Sequence, residues 1–214
     1  MYLTRMQLDA ENRAVMKAMV SPNRIHGAIE AAFPGERRRK LWRLDRLNGK
    51  LYLLLLSEDR PDLTNMACQF APESNGNCAW ETKSYQPLLD RITDGSTWRF
   101  RLTANPTICN KNASDKTQRG TVHAHITVNH QKEWLANRAK QHGFLLKDDD
   151  FTVTNSQWKT FYKPSGHKVQ LLSVSFEGTL TVTDAQKFRD VLLSGLGRGK
   201  AYGLGLLTVA RSEA

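Results

Sequence analysis

Eleven residues near the C-terminus constrain this chain more than any others: Gly195-Leu-Gly-Arg-Gly-Lys-Ala-Tyr-Gly-Leu-Gly205. Five of the chain's 14 glycines, Gly195, Gly197, Gly199, Gly203 and Gly205, fall in this stretch, with Arg198 and Lys200 between them. Residues without a Cβ let a backbone come close to a ligand and present successive N–H groups to an anion. With two cations in the same loop, the anion that fits is phosphate. Two familiar phosphate loops are excluded. A dinucleotide fingerprint needs a following helix and an acid roughly 20 residues on, and only nine residues follow Gly205 in a chain of 214. A nucleoside-triphosphate loop ends in Gly-Lys-Ser/Thr, whereas Gly199-Lys200 is followed by Ala201. What remains is a loop between a helix over about 184–194 and a last strand near 204–209. The plain alternative, a helix C-cap and a tight turn into a strand, accounts for one or two glycines rather than five.

The charge balance agrees with a polyanionic partner. Lys and Arg number 31 against 21 Asp and Glu, a net charge of +10. Cations that neutralise phosphates release counterions, which is a driving force for nucleic-acid binding. Hydrophobic residues make up 40% of the chain, enough for a packed core. Cys68, Cys78 and Cys109 are odd in number and lack metal-knuckle or redox spacing, so they read as reduced thiols of a cytoplasmic protein. The opening residues carry no signal-peptide pattern, and the most apolar run, Leu51 to Leu56, is too short to span a bilayer.

The order of elements suggests an α+β fold. Tyr2 to Leu8 reads as a strand. Ser21-Pro22 opens a helix, Ser as N-cap and Pro at the first position, with Ile25, Ala28, Ile29 and Ala32 on one face. A basic run, Arg37-Arg38-Arg39-Lys40, leads into a strand over 41–47. Asn48-Gly49 is a hairpin turn, and Leu51 to Leu56 returns as a buried strand. A weaker helix near 62–70 and a strand near 79–86 complete a strand, helix, hairpin, helix, strand order, the ferredoxin-like unit. The pattern recurs: a strand at Trp98 to Leu102, a helix from Glu133 to His142, strands over 144–153 and 169–182, a helix capped by Asp184, then the glycine loop and last strand. Two tandem ferredoxin-like (RRM-like) domains with antiparallel sheets are expected, residues 1–90 and 96–214. Two insertions stand out in the second: residues 105–129, polar and basic, and residues 157–168, where Trp158, Phe161 and Tyr162 alternate with Lys159, Lys163 and Lys168. The latter reads either as a nucleic-acid contact, aromatic faces for bases and lysines for phosphates, or as an ordinary exposed hairpin.

His26 lies near the start of the first helix, where the helix end favours phosphate and a neutral imidazole. A neutral imidazole beside a held phosphate is what RNA cleavage requires, since the 2′-hydroxyl loses a proton and the departing 5′-oxygen needs one. A structural or solvated histidine is the other reading. His123 and His125 alternate on a possible strand and, with Cys109, suggest a zinc site that lacks an evident fourth ligand. His130, His142 and His167 read as surface residues. No cofactor motif is evident.

Several stretches together carry a resemblance: Phe100-Arg-Leu-Thr-Ala-Asn-Pro106, Val174-Ser-Phe-Glu-Gly178 with Leu180 and Val182, and Gly195 through Leu207. In these, and from Met1-Tyr-Leu onward, the chain resembles the CasE endoribonucleases, the guide-RNA-processing subunits of the subtype I-E CRISPR interference complex. The resemblance implies metal-independent cleavage of a CRISPR repeat at the base of its stem-loop, a 2′,3′-cyclic phosphate product, and a protein that stays bound to it among the other subunits. It implies that His26 is the catalytic histidine. RNA contacts carry over to Arg37, Arg38 and Arg39, to the Lys159–Lys168 hairpin including Lys163, and to Arg198 and Lys200. Three positions depart from the family pattern. Asn23 stands where a tyrosine is frequent, with Arg24 as a neighbouring substitute; Thr103 replaces an arginine; and Phe161, Tyr162 and Lys163 occupy places of hairpin arginines. The alternatives are a non-catalytic stem-loop-binding subunit and a metal-dependent phosphoesterase using His123 and His125.

Overall fold

The computed structural model describes residues 1–35, 38–73, 79–110 and 121–211; Arg37, Cys78 and residues 111–120 of the basic insertion lie outside them. Residues 2–84 form one antiparallel sheet of β1 (Tyr2–Leu8), β2 (Leu41–Leu47), β3 (Lys50–Ser57) and β4 (Trp80–Ser84), ordered β2-β3-β1-β4. Two helices, α1 (Arg13–Val20) and α2 (Pro22–Ala31), link β1 to β2, and α3 (Thr64–Phe70) links β3 to β4. This is the ferredoxin-like strand order. Asn48 and Gly49 take positive φ of 50° and 77°, as a two-residue hairpin requires.

β3 is apolar from Leu51 to Leu56 because it is covered on both faces. Leu51, Leu53 and Leu55 pack under the helices with Met6, Ile25 and Ile29. Leu54 and Leu56 turn toward the second half of the molecule. Ile25 and Ile29 are both fully buried, worth about 1.5–3 kcal/mol each in area removed from water.

The spacing predicts one helix between β1 and β2, and the structure has two. Asn12 accepts from the Ala14 N–H at 2.7 Å and starts α1. Ser21 does not cap α2 through its side chain. It is the junction residue, and its N–H closes α1 on the Lys17 carbonyl at 3.1 Å. Pro22 keeps the first position of α2, where a missing N–H costs nothing.

After a short helix, α4 (Gln86–Leu89), the topology repeats. β5 (Thr97–Ala104) leads to a small hairpin of β6 (Thr107–Asn110) and β7 (Thr121–Ala124), then α5 (Val128–Gln141), β8 (Phe144–Leu145), β9 (Phe151–Tyr162), β10 (Lys168–Val182), α6 (Ala185–Ser194) and β11 (Leu207–Arg211). The second antiparallel sheet has the order β11-β5-β10-β8, with β9 also paired to β10. The molecule is therefore α+β, two ferredoxin-like units in tandem. α5 begins five residues earlier than its apolar spacing indicates, because Thr127 caps it, accepting from the His130 N–H at 3.4 Å. Asp184 caps α6 as expected, accepting from the Lys187 N–H at 3.0 Å.

One buried cation ties the two sheets together. Arg43 on β2 is 2% exposed. It donates to both carboxylate oxygens of Asp45 at 2.8 and 2.7 Å. It also reaches the Arg101 and Leu206 carbonyls at 2.9 and 2.7 Å and the Thr208 hydroxyl at 2.8 Å in the second sheet. The connection between the sheets is also docked: Arg189 of α6 donates to the Leu89 and Ile92 carbonyls at 3.0 and 2.6 Å.

Candidate nucleic-acid interface

Three segments far apart in sequence meet on one side of the molecule: α2, the β9–β10 hairpin and the glycine loop. A 3-10 turn in the loop, Lys200–Tyr202, lies against α2 and β2. The Tyr202 ring meets the Phe161 ring of the hairpin edge-on, centroids 4.9 Å apart. Asn23 on α2 donates to the Tyr162 carbonyl at 3.0 Å. Asn23, where a tyrosine was expected, thus fastens the helix to the hairpin.

The glycines of the loop face protein. Cβ atoms at Gly195, Gly197, Gly199, Gly203 and Gly205 would come up against Leu41, Trp134, Leu204, Trp42 and Leu196 respectively. Close packing on the two halves explains their density, and the loop's two cations are Arg198, exposed, and Lys200, half-buried. At Gly203 the backbone has φ +78°, and a Cβ would lie 2.7 Å from the Trp42 ring. Gly203→Ala is expected to cost about 1–3 kcal/mol through left-handed strain and the clash, read as a lower urea midpoint.

His26 is the fifth residue of α2, just past its first turn. Its side chain is one-quarter exposed, and its Nδ1 lies 3.9 Å from Glu30 Oε1. Glu30 is shared, its other oxygen holding Lys40 at 3.2 Å. The carboxylate sits one turn along the same helix, where it can orient the imidazole.

The basic run that follows α2 is divided by its partners. Arg38 pairs with Glu58 at 3.2 Å and Asp59 at 3.7 Å, whereas Arg39 is exposed and lies within electrostatic reach of Lys200. Burial, then Arg39 and Arg138, hold the Lys200 ammonium below its ordinary pKa. Arg24 and Arg198 are exposed, as are Lys163 and Lys168 at the hairpin end. Lys159 differs: it is half-buried and burial pushes its pKa down. It lines a groove of about 710 Å³ between the sheets, together with Pro22, Arg43, Asp45, Arg101 and Tyr202. Trp42 in the same wall has a buried Nε1 with no hydrogen-bond partner among the described residues. Thr103, in place of an arginine, pairs its hydroxyl with Ser175 at 2.9 Å in that groove.

The histidines proposed for zinc are arranged otherwise than expected. β7 ends at Ala124, so His125 is past the strand, and its ring lies 5.8 Å from His130. Cys109 is opposite Val122, and His123 is opposite Ile108. Adjacent pairs in a strand ladder point to opposite faces, which separates Cys109 from His123. Among the described residues no group of three or more His, Cys, Asp or Glu is placed to hold a metal ion. His142 also departs from expectation, being half-buried beside Arg138 and Lys200. Its i, i+4 spacing from Arg138 on α5 is the signal that would have drawn attention to both. Arg43 is the other residue that sequence reasoning passes over, since nothing local marks a strand arginine as internal.

Fold and site together define a class: a tandem ferredoxin-like protein whose helix, hairpin and glycine loop converge on a basic face. The family model described as CRISPR associated protein matches residues 1–211, and the chain belongs to that family, in its Cse3/CasE group. It is 29% identical over 225 residues to the CRISPR-associated endoribonuclease Cse3 of Thermus thermophilus, covering 98% of this chain and 100% of that protein. It is 27% identical over 113 residues to the CRISPR system Cascade subunit CasE of Escherichia coli, 52% of this chain and 56% of that one. A structure of Thermus thermophilus Cse3 bound to an RNA representing a pre-cleavage complex superposes with a TM-score of 0.78 at 27% identity, covering 98% of both chains. Among the described residues no helix is long and apolar enough to cross a membrane.

Proposed function

We propose that this chain is an endoribonuclease that cuts CRISPR precursor RNA within the repeat, at the base of its stem-loop, and stays with the product as a subunit of the interference complex. The observation that carries the reading is the meeting of α2, which bears His26, with the cationic glycine loop and the hairpin. The relatives support it: Cse3 is named an endoribonuclease and was captured on RNA, and CasE is named a Cascade subunit.

The chemistry follows from the groups at hand. A-form RNA offers mainly shape and phosphate to a protein, so Arg39, Arg198, Lys163, Lys168 and Lys200 grip the stem by its backbone. His26 takes the 2′-hydroxyl proton or returns a proton to the 5′-oxygen. The 2′-oxygen attacks the adjacent phosphorus, the bond to the 5′-oxygen breaks, and the ends are a 2′,3′-cyclic phosphate and a 5′-hydroxyl. Glu30 holds the ring in place, and Lys159 offers positive charge for the phosphorane. None of these steps draws on a metal. Host repeat RNA incubated in excess EDTA is therefore expected to be cut at full rate and to end in cyclic phosphate. Cleavage abolished by EDTA, or 5′-phosphate ends, would sink the mechanism.

One observation favours a second reading. Asn23 uses its amide on the Tyr162 backbone, so a hydroxyl that the family places there is missing. Tight repeat binding with no cleavage in any buffer would assign a stem-loop-holding subunit instead.

A further inference from the structure

At the C-terminal end of α5, Arg138 and His142, which have no role so far, gather with cations from two other parts of the chain. Arg138 lies over the Trp134 ring, its guanidinium carbon 5.6 Å from the centroid. Trp134 is pressed in turn against the glycine loop, where a Cβ on Gly197 would be 3.3 Å from the indole. Arg138 is thus braced beside the loop. His142, one turn on, ends the helix, its N–H shared between the Arg138 and Ala139 carbonyls at 3.1 and 3.0 Å. Lys200 comes from the loop itself, and Arg39 from the segment leading into β2.

These groups repel one another. Burial, then Arg138 and Lys200, hold the His142 imidazole below its ordinary pKa. The α6 start packs against Gly143, beside His142, and brings one acid and one base. There Asp184 and Lys187 are paired with each other at 2.8 Å. Among the described residues, no carboxylate is among the charges that act on His142 or Lys200. Half-buried like charges destabilise a fold unless an anion arrives to offset them.

We propose that Arg138 and His142, with Lys200 and Arg39, form a clasp for an RNA backbone phosphate, and that His142 takes up a proton as the phosphate enters. The inference rests on the reading that the chain binds a folded RNA, and extends it to residues of α5. Its consequence is a sign. An approaching phosphate raises the His142 pKa, so binding is tighter as pH falls through the interval between the free and bound values.

The test uses the full chain carrying His26→Ala, so that the stem-loop stays intact, with host repeat RNA as probe. Arg138→Gln is expected to weaken binding roughly tenfold and to flatten the slope of log affinity against log salt by about 0.9. Arg138→Lys, which keeps the charge and loses the planar stacking, should restore the slope. His142→Gln should match its parent at pH 8 and lack the parent's gain at pH 6, a gain of at most about tenfold per pH unit. NMR of the His142 ring supplies a second readout: its titration midpoint should rise with the RNA and not with inorganic phosphate. If the parent binds and both Gln variants keep its salt slope and pH profile, the clasp is wrong while RNA binding stands. A midpoint that rises with inorganic phosphate and not with RNA assigns a small-anion site and overturns the RNA clasp. If the parent binds no repeat RNA at either pH, the RNA reading itself falls and the clasp with it.

Discussion

Replacing His26 with alanine is expected to lower the single-turnover cleavage rate by about 10²- to 10⁴-fold, the contribution of one positioned acid–base group. Affinity for the repeat should be essentially unchanged, because the cations proposed to meet phosphate lie on other segments: Arg39 before β2, Lys163 and Lys168 on the hairpin, Arg198 and Lys200 on the glycine loop. The expected separation of rate from affinity is what distinguishes a catalytic imidazole from a structural one. The local structure supports this, since His26 is partly exposed and faces Glu30 at 3.9 Å, while Ile25 and Ile29 on the same helix carry the packing. Stopped-time assays with excess protein, paired with filter binding, measure both quantities. Cleavage retained in the variant removes His26 from the mechanism. Lost binding would make it a contact residue instead.

The second large effect is one of stability. Arg43→Ala is expected to destabilise the chain by about 3–5 kcal/mol, because truncating one member of a buried pair strands the other. Asp45 is 4% exposed, and its remaining cation, Arg101, stands 3.7 Å away and is shared with Glu177 at 3.2 Å. The Arg101 and Leu206 carbonyls and the Thr208 hydroxyl would lose a donor at the same time. With a urea m-value of about 2 kcal/mol per molar, the midpoint should fall by roughly 2 M. The effect reaches function by a structural route. Arg43 joins β2 to the second sheet close to where the Lys200–Tyr202 turn rests on β2. Cleavage by this variant should therefore fail at temperatures where the wild type still works, and recover on cooling. A midpoint within error of the wild type would show that the linkage across the sheets contributes little.

Much of this protein was legible in its chain, for reasons that are local. Alternation in Tyr2–Leu8 and Thr97–Ala104, the Asn48-Gly49 turn, the Asp184 cap and the order of strands and helices are statements about neighbours. Each depends on backbone dihedrals and on which face of an element is apolar. The net charge of +10 belongs to composition, and it pointed to a polyanion without any fold. The junction helix α1 escaped because its capping residue, Asn12, and the closing Ser21 N–H look like ordinary loop chemistry until both helices are in place.

Only the tertiary structure decided what each charge does. Of the run after α2, Arg38 is drawn to Glu58 and Asp59 and Lys40 to Glu30, while Arg39 stays exposed within electrostatic reach of Lys200. Arg43 reads like any strand cation, yet apart from Asp45 its partners lie 58 to 165 residues away. The loop glycines suggested a ligand, and their tight neighbours turned out to be Leu41, Trp42 and Trp134. Periodicity reports which face of an element is buried. It carries no information about which distant charge will share that burial, and in a low-dielectric setting that partner decides whether a cation is internal glue or a grip on RNA.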